Sequence, residues 1–126
     1  KFNEEIPNFR HEDTLFSYNL RQHNIPVKHI DNPTYHLGIE DSVTFIKKSL
    51  ESVEAINLFI KNDLIDPNYT LISRTYKTIN KFRLGFILSF IYKRFKPNFE
   101  KNLLSNSPSL FIFDIYRLCY YCHLNS

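Results

Sequence analysis

His11, Glu12 and Asp13 are consecutive, and a second chemically capable group, Tyr35-His36-Leu37-Gly38, follows after a β-rich stretch. A carboxylate set beside a substrate can take a proton during reaction, and imidazole is a ready ligand for a divalent metal. Two acids and a returning histidine therefore suggest proton abstraction beside a metal. That chemistry requires elements that carry His36 back to the acid pair.

The local pattern predicts such elements. From Asp13 onward, Leu15, Phe16 and Leu20 recur at helical spacing, so Glu12 and Asp13 open a helix, where its unpaired amides favour negative charge. Residues 25–30 alternate and are rich in β-branched side chains, which predicts a short strand with Pro26 at its start or on a sheet edge. Asp31-Asn32-Pro33 is a turn signal, and residues 34–37 read as a second extended piece ended by Gly38. Residues 1–10, with Phe2, Ile6, Pro7 and Phe9 among charges, read as an extended segment entering the site.

The remainder reads as helical. Asp41 or Ser42 caps a long helix in which Ile46, Leu50, Val53, Ile60 and Leu64 recur at core spacing, with Lys47, Lys48, Glu51 and Glu54 outside and Pro67 closing the segment. Nothing on that helix calls for chemistry. Further helices are predicted over 69–80 and over 84–96 before Pro97, then a short helical turn over 99–105 and a last helix over 108–122. The last carries only Asp114 and Arg117 as charges in its middle, so it is expected to be buried in protein or to lie against lipid.

Composition bounds the reading further. With 126 residues, 43% hydrophobic and 23% charged, the chain is a globular domain rather than a disordered one. It begins at Lys1 without a methionine and holds only two glycines, few for a freestanding α/β enzyme, so it reads as the tail of a longer protein. The net charge of +3 hides a split: seven Lys/Arg against eleven Asp/Glu through residue 68, then nine against two. The basic half is expected to face an anionic surface. Its aromatics sit at core spacing with few left to stack on bases, which argues against nucleic acid. A membrane surface fits better, through Lys77, Lys81, Arg83, Lys93, Arg94 and Lys96. No apolar run approaches the roughly 20 residues that span a bilayer.

Cys119 and Cys122 are the only cysteines, too few for a secreted disulfide framework, so a cytoplasmic setting, peripheral at the inner membrane, is expected. Cys119-Tyr120-Tyr121-Cys122-His123 has the spacing of covalent haem attachment, but the chain has no methionine for a second axial ligand and ends three residues later. A zinc site lacks an evident fourth ligand. Small hydrophobes, buried or facing lipid, is the default reading of these thiols.

Taken in order, His11-Glu12-Asp13-Thr14-Leu15-Phe16, Arg21, His29-Ile30-Asp31-Asn32-Pro33 and Tyr35-His36-Leu37-Gly38 resemble the C-terminal part of bacterial family 2 glycosyltransferases of the Bacteroidetes kind. The resemblance implies a fold that is mainly α with a short β segment. Residues 1–40 would form the C-terminal end of an α/β GT-A catalytic domain, and residues 41–126 its helical tail. It also implies inverting transfer of a sugar from a nucleotide-diphosphate donor to a saccharide or lipid-linked acceptor in cell-surface polysaccharide synthesis. In these terms Asp13 is the catalytic base, Glu12 binds the acceptor and His36 helps hold a divalent ion, Mn or Mg. The Asp-x-Asp motif that supplies such a family's main metal contact does not occur here, so metal and donor would be bound mainly by an N-terminal half and this part alone would be inactive. The competing expectation is a non-catalytic helical module that docks on a membrane surface or a partner protein, with the acids only capping a helix.

Overall fold

A computed structural model describes residues 11–35, 38 and 40–126. The described residues form five helices: α1 (Glu12–Gln22), α2 (Ser42–Lys61), α3 (Leu71–Lys81), α4 (Gly85–Leu103) and α5 (Leu110–Leu124). Among the described residues there is no strand, which overturns the expectation of a short β segment belonging to an α/β GT-A domain. The reason lies in residues 25–30. Ile25, Val27 and Ile30 are 52%, 63% and 72% exposed, so neither face of that stretch is covered. A lone extended segment without a partner's backbone groups or a buried face cannot hold a ladder. The stretch is extended, as alternation suggested, but runs over the surface as a connection. Of the second extended piece, Thr34 and Tyr35 are likewise exposed coil; His36 and Leu37, like the expected lead-in over residues 1–10, lie outside the described residues.

The helix starts follow local chemistry. Asp41 caps α2, its carboxylate accepting from the Thr44 amide at 2.9 Å and the Thr44 hydroxyl at 2.6 Å. Thr70 and Ser109 cap α3 and α5 in the same way, accepting from Ser73 N and Ile112 N. Helix ends are handled without glycine. Asn24, Asp63 and Arg83 adopt φ of 53°, 55° and 55°, and the next residue's amide in each case reaches back to Leu20, Phe59 or Ile79 at 2.8–3.2 Å. Such left-handed terminators satisfy the last carbonyls of a helix, and Asn and Asp tolerate them best after glycine.

Two predicted helical pieces, 84–96 and 99–105, are one helix. α4 runs through Pro97, which sits on the exposed face with Lys93 one turn before it. The carbonyl that proline leaves without a donor therefore faces water, and the buried side keeps its packing.

α4 and α5 form an antiparallel hairpin whose interface is aromatic. The Tyr92 ring lies 5.7, 5.0 and 5.2 Å from those of Tyr116, Tyr120 and His123, and Phe99 lies 5.7 Å from Tyr116. At the near end Tyr116 donates its hydroxyl to Glu100 at 2.9 Å. At the far end Ser89 bonds His123 and Ser126. α2 runs parallel to α5, with Phe45 stacked on Phe113 at 5.6 Å, Tyr120 donating to Glu54, and Lys61 reaching the Leu124 carbonyl. Tyr76 of α3 meets Tyr121 edge-on at 5.2 Å. The last helix is thus the centre, covered by α2, α3 and α4, and most of its apolar side chains meet protein, while Leu110 and Phe111 at its start stay exposed.

α1 stands apart. Leu15, 6% exposed, inserts between Phe59 of α2 and Ile65, and Tyr18 packs edge-on against Tyr69 at 4.9 Å. The Ser17 and Tyr69 hydroxyls meet at 2.7 Å.

Candidate functional site

The start of α1 carries the acid pair and is pinned through the histidine before it. His11 adopts φ 85°, the left-handed region that is uncommon for a residue with a side chain. Its ring holds it there: Nδ1 bonds the Thr14 hydroxyl at 2.9 Å and Nε2 bonds the Ser52 hydroxyl on α2. Burial lowers the His11 pKa and Arg117 adds to the lowering, against opposing pulls from Asp13 and Glu12. The ring is thereby favoured as a neutral group with one donor and one acceptor nitrogen, matched to the two hydroxyls.

Asp13 is exposed, and its carboxylate accepts from the Thr14 amide at 2.8 Å, which orients it while leaving it open to solvent. It lies on the wall of a cleft of about 780 Å³ between the start of α1, α2 and α5. Gly38, the last residue of Tyr35-His36-Leu37-Gly38, lines the same cleft. Glu12 is exposed and does not line it. His36 lies outside the described residues, so its distance from Asp13 is not part of this geometry.

The other walls come from residues the sequence pattern did not single out. α2 contributes Lys48, Ser49 and Ser52, and α5 contributes Phe113 and Arg117. Lys48 is paired with Glu40 at the rim. Arg117 is half-buried with its guanidinium 5.3 Å from the centre of the Phe113 ring, and burial lowers its pKa against an opposing pull from Asp114. The expectation of a core helix without chemistry on it places Lys48 on the outer face of α2; the structure puts it at the rim of the cleft. The one signal for this wall was Arg117 itself, a cation in an otherwise apolar helix.

Among the described residues no group of three or more His, Cys, Asp or Glu side chains is arranged to hold a metal. His11, Asp13 and Glu40 line the cleft, but both His11 ring nitrogens are taken by Thr14 and Ser52, so the three do not build a cage. Cys119 and Cys122 are free and fully buried, with burial pushing each thiol up to about 11. His123 stacks on Tyr92 and bonds Ser89, so the Cys-x-x-Cys-His motif is built into the hairpin interface.

No protein-family model, curated protein or solved structure matches the chain. The site therefore rests on its own geometry. An oriented, solvent-open carboxylate beside a large cleft that also carries the Lys48–Glu40 pair and Arg117 can accept a proton from a hydroxyl bound there.

Proposed function

We propose that this chain supplies the acceptor side of an inverting glycosyltransferase, one that moves a sugar from a nucleotide-diphosphate donor to a saccharide or lipid-linked acceptor in cell-surface polysaccharide synthesis. The observation that carries the reading is the meeting of Asp13 and Gly38 on one cleft. The two motifs behind the resemblance are separated in sequence by an irregular connection, and a helix cap would have no need of that meeting.

In this mechanism Asp13 takes the proton of an acceptor hydroxyl as that oxygen attacks the anomeric carbon. The bond to the nucleotide diphosphate breaks on the opposite face, its electron pair leaving with the diphosphate, and the configuration inverts. Glu12, exposed one residue before and outside the cleft lining, would bind only hydroxyls of an acceptor that extends beyond the cleft. The donor, and the divalent ion that His36 would help to hold, are assigned mainly to polypeptide beyond these residues, since no Asp-x-Asp occurs in them. The full-length enzyme with Asp13→Asn should fold and bind donor normally while turning over about two to four powers of ten more slowly, the usual worth of a positioned base. Turnover near that of the unaltered enzyme would remove Asp13 from the role.

A second reading has an observation of its own. Phe82, Phe86 and Phe90 are 68%, 66% and 63% exposed, and Phe86 and Phe90 share a face of α4 with Lys93 and Arg94. Rings beside cations suit the surface of an anionic membrane. Among the described residues no helix is long and apolar enough to cross a membrane, so such contact would be peripheral. It is compatible with a transferase acting on lipid-linked acceptors, and on its own describes a docking module.

A further inference from the structure

Arg117 is the odd group of the cleft. A guanidinium is always charged and carries five donors, so one held half-buried needs acceptors. Among the described residues none accepts from it: no carboxylate lies within ion-pair distance, and its Nε is fully enclosed without a hydrogen-bond partner. The Phe113 ring beneath it supplies a face but no lone pair.

A second orphan comes from a different helix. Ser49 of α2 is 9% exposed, lines the same cleft, and its hydroxyl has no partner. A serine inside a helix ordinarily turns its hydroxyl to a carbonyl of the preceding turn, and this one does not. Both residues line the cleft while these two atoms are enclosed, so a group rich in lone pairs entering there would meet the outer guanidinium nitrogens of Arg117 first and the Ser49 hydroxyl on its rotation toward the cleft.

We infer that the cleft binds an oxyanion, a carboxylate or a phosphate carried on a saccharide, with Arg117 as its anchor and Ser49 as a second donor. The inference that this saccharide is the acceptor rests on the transferase reading; the anion site itself does not. Oxyanions accept from guanidinium in a bidentate, charge-assisted manner that neutral groups cannot match. Lys48, already neutralised by Glu40, adds no net attraction, which leaves Arg117 as the cation that decides affinity. The cleft has far more room than one phosphate needs, and the stacked rings of Phe45 and Phe113 offer an apolar wall for the C–H face of a sugar. Asp13, on the lining of the same cleft, would then be available to a hydroxyl of the same molecule.

The test is a titration of the protein followed through the backbone amide resonances of the residues that line the cleft on α2 and α5, which exist in every variant, with inorganic phosphate, glucuronate and glucose as three separate probes at low ionic strength. Phosphate or glucuronate should move these amide resonances saturably, whereas glucose should not; whichever of the two saturates first tells whether phosphate or carboxylate is the group preferred. Arg117→Lys, which keeps the charge and loses the fork, should weaken binding about tenfold, and Ser49→Ala by about threefold. Asp13→Asn should leave anion binding intact or tighten it; a variant that keeps both its turnover and its anion binding would overturn the transferase reading alone, and one that loses turnover while the unaltered protein shows no anion binding would overturn this site alone. No saturable shift with either anion overturns the site. So does an affinity unchanged by both Arg117→Lys and Ser49→Ala, and because the titration of the unaltered protein decides by itself, a variant that fails to fold does not rescue the proposal.

Discussion

Replacing Leu15 with alanine should detach α1 while leaving the rest of the bundle folded. α1 meets the other helices through one buried apolar side chain, Leu15 between Phe59 and Ile65, with Tyr18 against Tyr69 and the His11 ring on Ser52 as lesser supports. Phe59 and Ile65 are 0% and 2% exposed, so the truncation opens a cavity that these neighbours cannot easily fill. Buried Leu→Ala changes cost about 2–5 kcal/mol. An isolated helix of 11 residues is too short to be stable in water, so the loss falls on the docking of α1 as a unit. At about 2.7 kcal/mol the α1 amides should exchange with solvent about 100-fold faster. Those of α4 and α5, held by the Tyr92, Tyr116 and Tyr120 rings, should change little. Residue-resolved hydrogen exchange measures both. An equal acceleration in α5 would mean that α1 is welded into the main core and would refute the argument, as would α1 amides that are already unprotected in the unaltered protein.

Two further outcomes are expected. The Asp41 carboxyl is held below its ordinary pKa of 3.8 by its bonds to the Thr44 hydroxyl and amide, so the stability it contributes is complete above that value and lost as pH falls through the lowered one. Asp41→Asn keeps a capping side chain without the titration, so its acid-unfolding curve should lack that component; identical curves would show that the cap is not coupled to folding. Flotation with anionic vesicles at low salt should carry the protein upward, reversibly with added salt, and Phe86→Ser with Phe90→Ser should abolish it, whereas equal flotation with neutral vesicles would deny a role to Lys93, Arg94 and their neighbours.

Helical character was legible in the sequence wherever an amphipathic period met a capping side chain. Asp41 before Ile46, Leu50 and Val53 is enough to start α2, because capping and face burial act within a few turns of one segment. The acid pair at the head of α1 was legible for the same local reason. Pro97 misled because its cost depends on which face it occupies, and only the packing of α4 against α5 sets that face. Alternation over 25–30 misled because a strand is a property of two chains' backbones rather than one.

The sequence by itself determined most of the helical segments, the Asp41 cap, the apolar last helix and the placement of Asp13 at a helix head, all of which depend on neighbours within a turn or two. Only the tertiary structure decided that α5 is the centre of the bundle, that Gly38 comes to the same cleft as Asp13, and that Arg117 and Ser49, 68 positions apart, face it without partners. Those facts depend on how helices from distant parts of the chain cross, and no local pattern of residues encodes a crossing.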